Sequence, residues 1–82
     1  MATLDELLHL AEAQPTVREA AAVLRQQLAP LRVMVVDAFD MRDEAPLAQG
    51  QRRVLWGAAS DGHCWSVSRD ASAIAGLYLA DR

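Results

Sequence analysis

Leu4, Leu7, Leu8 and Ala11 return at helical spacing along one side of the first segment of the chain, and Val17, Ala20, Ala21, Leu24 and Leu28 do so along the second. Each stripe follows a capping box, Thr3-Leu4-Asp5-Glu6 and then Thr16-Val17-Arg18-Glu19, in which a threonine hydroxyl and a glutamate three residues on serve each other's free backbone N–H. Gln14-Pro15 stops the first stripe, because the residue before a proline avoids the helical region, and Pro30 closes the second. The pattern predicts two helices of about 10 and 12 residues.

The period changes at Leu31. Leu31 to Ala38 is β-branched and almost continuously apolar, as expected of a central strand covered on both faces. Asp40 to Gly50 carries charges, Pro46 and Gly50, and reads as a loop. Two strands, about Arg52 to Ala59 and His63 to Ser68, flank Asp61-Gly62, the dipeptide of a type I′ hairpin turn with positive φ at both central residues. Asp70 is placed to cap a short helical turn ending near Gly76, and Leu77 to Ala80 forms a last short strand. The expected fold is therefore α+β: an N-terminal helical hairpin packed on a small, mostly antiparallel four-stranded sheet in the order ααβββ, short α, β, as a single domain over residues 1–82.

A two-residue turn fixes a register. Ser60 then faces His63, Ala59 faces Cys64, Ala58 faces Trp65 and Trp56 faces Val67, so that Trp56, Ala58, His63, Trp65 and Val67 share one face. On this reading the two tryptophans are diagonal neighbours, and the expectation is a core face packed beneath the helices. The functional alternative exposes a tryptophan, with His63 beside it, as an anchor for a partner. His63 and Cys64 point to opposite faces of a strand, which argues against a Cys-His dyad, and no pattern supplies an orienting group or an oxyanion site.

Composition narrows the function classes. The sequence of 82 residues is 52% hydrophobic and 23% charged, which is ordinary for a globular domain of modest core. Its net charge is −3, it has no lysine, and Arg52-Arg53 is its one basic pair, so nucleic acid is a poor partner. A single cysteine, Cys64, suits a reducing compartment, and no apolar run approaches a membrane span, so the expected location is the cytoplasm. His9, His63 and Cys64 are too scattered for a zinc signature, and no glycine-rich phosphate loop is present. Asp37, Asp40, Asp43 and Glu44 form an acidic stretch that departs from the calcium-loop pattern but offers oxygen ligands to a divalent ion, with Asp37 expected to be half buried at a strand end.

The stretch Asp61-Gly62-His63-Cys64-Trp65-Ser66-Val67-Ser68-Arg69-Asp70, with Ala75-Gly76-Leu77-Tyr78-Leu79-Ala80 after it, resembles a small domain family of nitrogen-fixing bacteria whose members are encoded near nitrogen-fixation genes. The resemblance covers the C-terminal quarter of the chain. It implies a biological setting and carries over no catalytic residue. The function expected from residues and resemblance together is a small accessory protein without enzymatic activity or cofactor, binding another protein or itself as a homodimer, with Trp56, Trp65 and His63 as the partner-binding residues. The alternative is a small-molecule or divalent metal-ion binding module that uses the acidic loop.

Overall fold

The computed structural model describes residues 3–82. Helix α1 spans Leu4–Ala13 and helix α2 spans Val17–Leu28. The threonine half of each capping box is formed: Thr3 Oγ1 accepts from the Glu6 N–H at 3.2 Å and Thr16 Oγ1 from the Glu19 N–H at 3.1 Å. Five strands follow, β1 Arg32–Val35, β2 Ala48–Gln49, β3 Arg53–Ser60, β4 Trp65–Val67 and β5 Ile74–Asp81. A 3-10 turn over Ala71–Ala73, capped by the Asp70 carboxylate on the Ser72 N–H, leads into β5.

The sheet runs β1-β5-β3-β2, with β4 also against β3, beyond β2. β1 and β5 are parallel and the other pairings antiparallel. The α+β class and the helical pair on a sheet agree with expectation; three details differ. The segment after Pro30 is an edge strand, since β1 pairs with β5 alone among the described residues, and its apolar run is divided between the helix face and the loop that follows. Gly76 lies inside β5 and does not end a helical turn, because β5 starts at Ile74 and runs for eight residues. A fifth strand, β2, sits in the charged loop, where Leu47 and Gly50 donate to the Leu55 and Arg53 carbonyls and tie the loop to β3.

Side-chain parity on β3 and β5 divides the apolar residues into two cores. Leu55, Leu77, Leu79 and Val33 face the helices and pack with Leu7, Ala11, Ala20, Ala21 and Leu24. The three helix alanines are fully buried, and their small side chains let the helices lie close on the sheet. Val54, Trp56 and Ala80 face the other way, beneath Val36, Ala38 and Met41 of the β1–β2 loop. The tryptophan face is thus the face turned away from the helices, contrary to expectation.

Gly57 is a point of close backbone approach, since a Cβ there would run into the carbonyl of Ser68, the residue whose N–H donates to the Gly57 carbonyl at 2.9 Å. Gly62 is different: it has φ of 99° in open space. Gly57→Ala is expected to destabilise by about 2–3 kcal/mol through overpacking, and Gly62→Ala by about 1 kcal/mol through backbone strain alone. Urea midpoints of the two variants check the order; equal losses would contradict the close approach at Gly57.

Candidate functional site

The β3–β4 turn holds two of the residues the sequence singles out. The hairpin pairs Ser60 with Trp65, Ala59 with Ser66 and Ala58 with Val67, two residues out from the register of a two-residue turn. The reason is the Asp61 side chain. Its Oδ1 accepts from the His63 and Cys64 N–H groups, each at 2.8 Å, which winds Asp61 to Cys64 into a four-residue loop with positive φ at Gly62 only. These two bonds from Cys64 and His63, in that order, hold the Asp61 carboxyl below its ordinary range.

A slip of two residues conserves parity, so Trp56, Ala58, Trp65 and Val67 do share a face. His63 does not join them; it is exposed in the loop beside an exposed Cys64. Trp65 is half-buried and stands opposite Ser60, four residues along β3 from Trp56, so the two indoles are not diagonal neighbours. Trp56 is 3% exposed, and its Nε1–H donates to the Glu44 carbonyl at 3.1 Å. It is a core residue with its polar atom satisfied and has no surface to offer a partner. Trp65 and His63 remain on the surface at the hairpin tip.

The acidic stretch is the lid over Trp56. Asp37 Oδ1 accepts from the Phe39 N–H at 2.8 Å, and successive turns carry the chain through Asp40, Met41 and Glu44. Asp37 is exposed, against the expectation of half burial, because β1 ends two residues earlier and Asp37 opens the turn whose Asp40 N–H donates to its carbonyl. Phe39 is 67% exposed, with the Arg42 guanidinium 4.2 Å from its ring centroid. Among the described residues, no three His, Cys, Asp or Glu side chains are grouped to hold a metal ion. Asp37, Asp40, Asp43 and Glu44 are therefore spread along the lid instead of converging.

Two clusters that sequence reasoning missed do the joining. Glu12, in the last turn of α1, accepts the Arg52 N–H with both carboxylate oxygens, at 3.1 and 2.9 Å, and also takes the Arg53 N–H. Arg52 reaches back to the Glu12 and Pro15 carbonyls, and buried Arg53 donates to the Gln14 carbonyl at 3.0 Å while pairing with Asp81 at 3.0 Å. The α1–α2 turn is thereby bolted to the β2–β3 turn. A carboxylate at a helix C-terminus opposes the helix dipole, and that is the signal in the sequence that Glu12 has a partner elsewhere. In the second cluster, Arg25 Nε and Nη2 donate to the Val33 carbonyl at 3.1 and 2.8 Å.

Arg25 identifies the open side of β1. Val36 donates to the Leu79 carbonyl, so even-numbered peptide groups of this segment face β5 and odd-numbered ones face outward, as the Val33 carbonyl does. The Val33 and Val35 N–H groups and the Val35 carbonyl accordingly point away from the sheet, and Val35 is 43% exposed. The opposite edge is interrupted, being made of two-residue β2 and three-residue β4. The chain matches no family model, and neither the curated proteins nor the solved structures give a match.

Burial raises the Glu12 carboxyl, but the backbone N–H bonds from Arg52, Arg53 and Gln51 and the Arg53 charge outweigh it and hold the group below its ordinary value of 4.5. A depressed folded value contributes stability that is present above pH 4.5 and is lost as pH falls through the folded value. Glu12→Gln is expected to lower the urea midpoint at neutral pH and to flatten its acid dependence below pH 4.5. Wild-type and variant curves that run parallel down to pH 3 would rule out the Glu12 bolt as a source of acid sensitivity.

Proposed function

We propose that this chain is a small cytoplasmic accessory protein that works by binding another protein or a second copy of itself, in the nitrogen-fixation setting that its C-terminal resemblance implies. The observation that supports this reading is the open edge of β1, where two backbone donors and one acceptor lack partners among the described residues. Exposed edges of this kind are completed by an extended segment of another chain, with main-chain hydrogen bonds giving affinity and flanking side chains specificity. Val35 and Leu31, 43% and 37% exposed, flank that edge with apolar surface. Trp65 and His63 at the hairpin tip lie on another part of the surface, available to a larger partner. No helix among the described residues is long and apolar enough to cross a membrane, which accords with this reading. The alternative of an ion-binding module gains nothing from the geometry, since the carboxylates of the acidic loop do not converge.

Val35→Pro separates the edge from the rest of the molecule. Its N–H makes no bond to β5, so proline removes no ladder bond from the folded chain but blocks an incoming strand. Affinity capture of the tagged protein from its native cells is expected to retain a stoichiometric partner that the Val35→Pro protein loses. A folded, abundant wild type that retains nothing and does not self-associate would overturn the interaction reading.

A further inference from the structure

The charges around β1 are polar along the strand. Arg25 and Arg32 lie at its N-terminal end, and Asp37, Asp40 and Asp43 follow its C-terminal end. An antiparallel copy laid against this edge puts the acidic end of each strand beside the basic end of the other, which is the condition for an isologous contact. We infer that the β1 edge pairs with the β1 edge of a second copy of this chain, antiparallel and centred on Val35; this rests on the interaction reading above.

Hydrogen-bond accounting selects the register. Centring on Val33 demands the Leu31 N–H, already donated to the Leu28 carbonyl at 2.8 Å, and the Val33 carbonyl, already held by Arg25. Centring on Met34 also requires the Val33 carbonyl. Centring on Val35 lets the two Val35 residues exchange both of their outward bonds without the Val33 carbonyl, which is asked for only by the flanking Asp37 N–H; that N–H stays with solvent and Arg25 stays in place. The Val33 N–H then reaches the Asp37 carbonyl of the other copy, which keeps a second lone pair beside the 3.1 Å bond it accepts from the Asp40 N–H. Odd-numbered side chains of β1 face the helix layer, so Asp37 of one copy meets Arg25 of the other. Asp37 Oδ1 is engaged by Phe39 and its Oδ2 is free, while Arg25 retains three of its five N–H groups. Arg25 thus has two tasks, closing its own Val33 carbonyl and receiving the carboxylate of its twin.

Sedimentation equilibrium over a concentration series tests this, with circular dichroism to establish that each variant is folded. The wild type is expected to pass from the 8.9 kDa monomer to twice that mass. Val35→Pro should stay monomeric. Arg25→Asp and Asp37→Arg should each weaken the dimer about tenfold, and the double exchange should recover it. A variant-free check is the amide NMR spectrum, in which the Val33 and Val35 N–H signals should shift with concentration while that of Met34 does not. A wild type that remains monomeric, or a dimer indifferent to both Val35→Pro and the charge exchange, would overturn self-pairing. If a monomeric wild type still captures another protein through an edge that Val35→Pro destroys, self-pairing fails and the interaction reading stands; if capture fails as well, both fall.

Discussion

β3 and β5 lie side by side from Arg53↔Asp81 to Ala59↔Ile74, and every other element hangs from this antiparallel pair. β1 attaches to β5, while β2 and β4 attach to β3. Because side chains alternate along both strands, the pair creates an inner face and an outer face, and a chain of 82 residues must cover each with what it has. The helices cover Leu55, Leu77 and Leu79; the β1–β2 loop covers Val54, Trp56 and Ala80. A single short loop stands in for a second layer, which is why the Trp56 indole is tied to the Glu44 backbone instead of lying open.

The two layers need fastening, since neither core is large. Glu12 and Arg53 provide it at one end of the sheet, where the carboxylate of one helix collects the N–H groups of a β-turn and a buried guanidinium collects the carbonyl of the helical turn and the Asp81 carboxylate. Arg53 Nε has no partner among the described residues, so the guanidinium is incompletely satisfied despite its burial.

Much of the architecture was legible in local chemistry. Thr3, Thr16, Pro15 and Pro30 mark the helices because caps and prolines act over three or four residues, and the structure places both helices where those marks stand. The hairpin was legible in kind but not in register: Asp61-Gly62 signals a tight turn, yet the Asp61 carboxylate can also gather two backbone N–H groups, and the longer loop won. Position within the sheet was not legible at all. The apolar run after Pro30 has the composition of a central strand but becomes the edge, while Leu77 to Ala80, which reads as a short terminal strand, belongs to β5, one of the two interior strands, because strand order depends on pairings that no local window contains. The same limit applies to the candidate residues. Parity put Trp56 and Trp65 on one face correctly, but alternation alone does not say which face the helices cover, and Trp56 is buried under a loop while Trp65 stays at the surface. Arg25 acquires meaning only once β1 is known to be an edge.

An open β1 edge in the isolated chain underlies the pairing, and amide hydrogen exchange in dilute solution tests it most directly. Such an edge predicts alternation along one strand: Val33 and Val35 exchange rapidly while Met34, bonded toward β5, is protected together with the amides of β3 and β5. Equal protection of all three amides in the dilute monomer would mean that the edge is already closed, and would contradict the account.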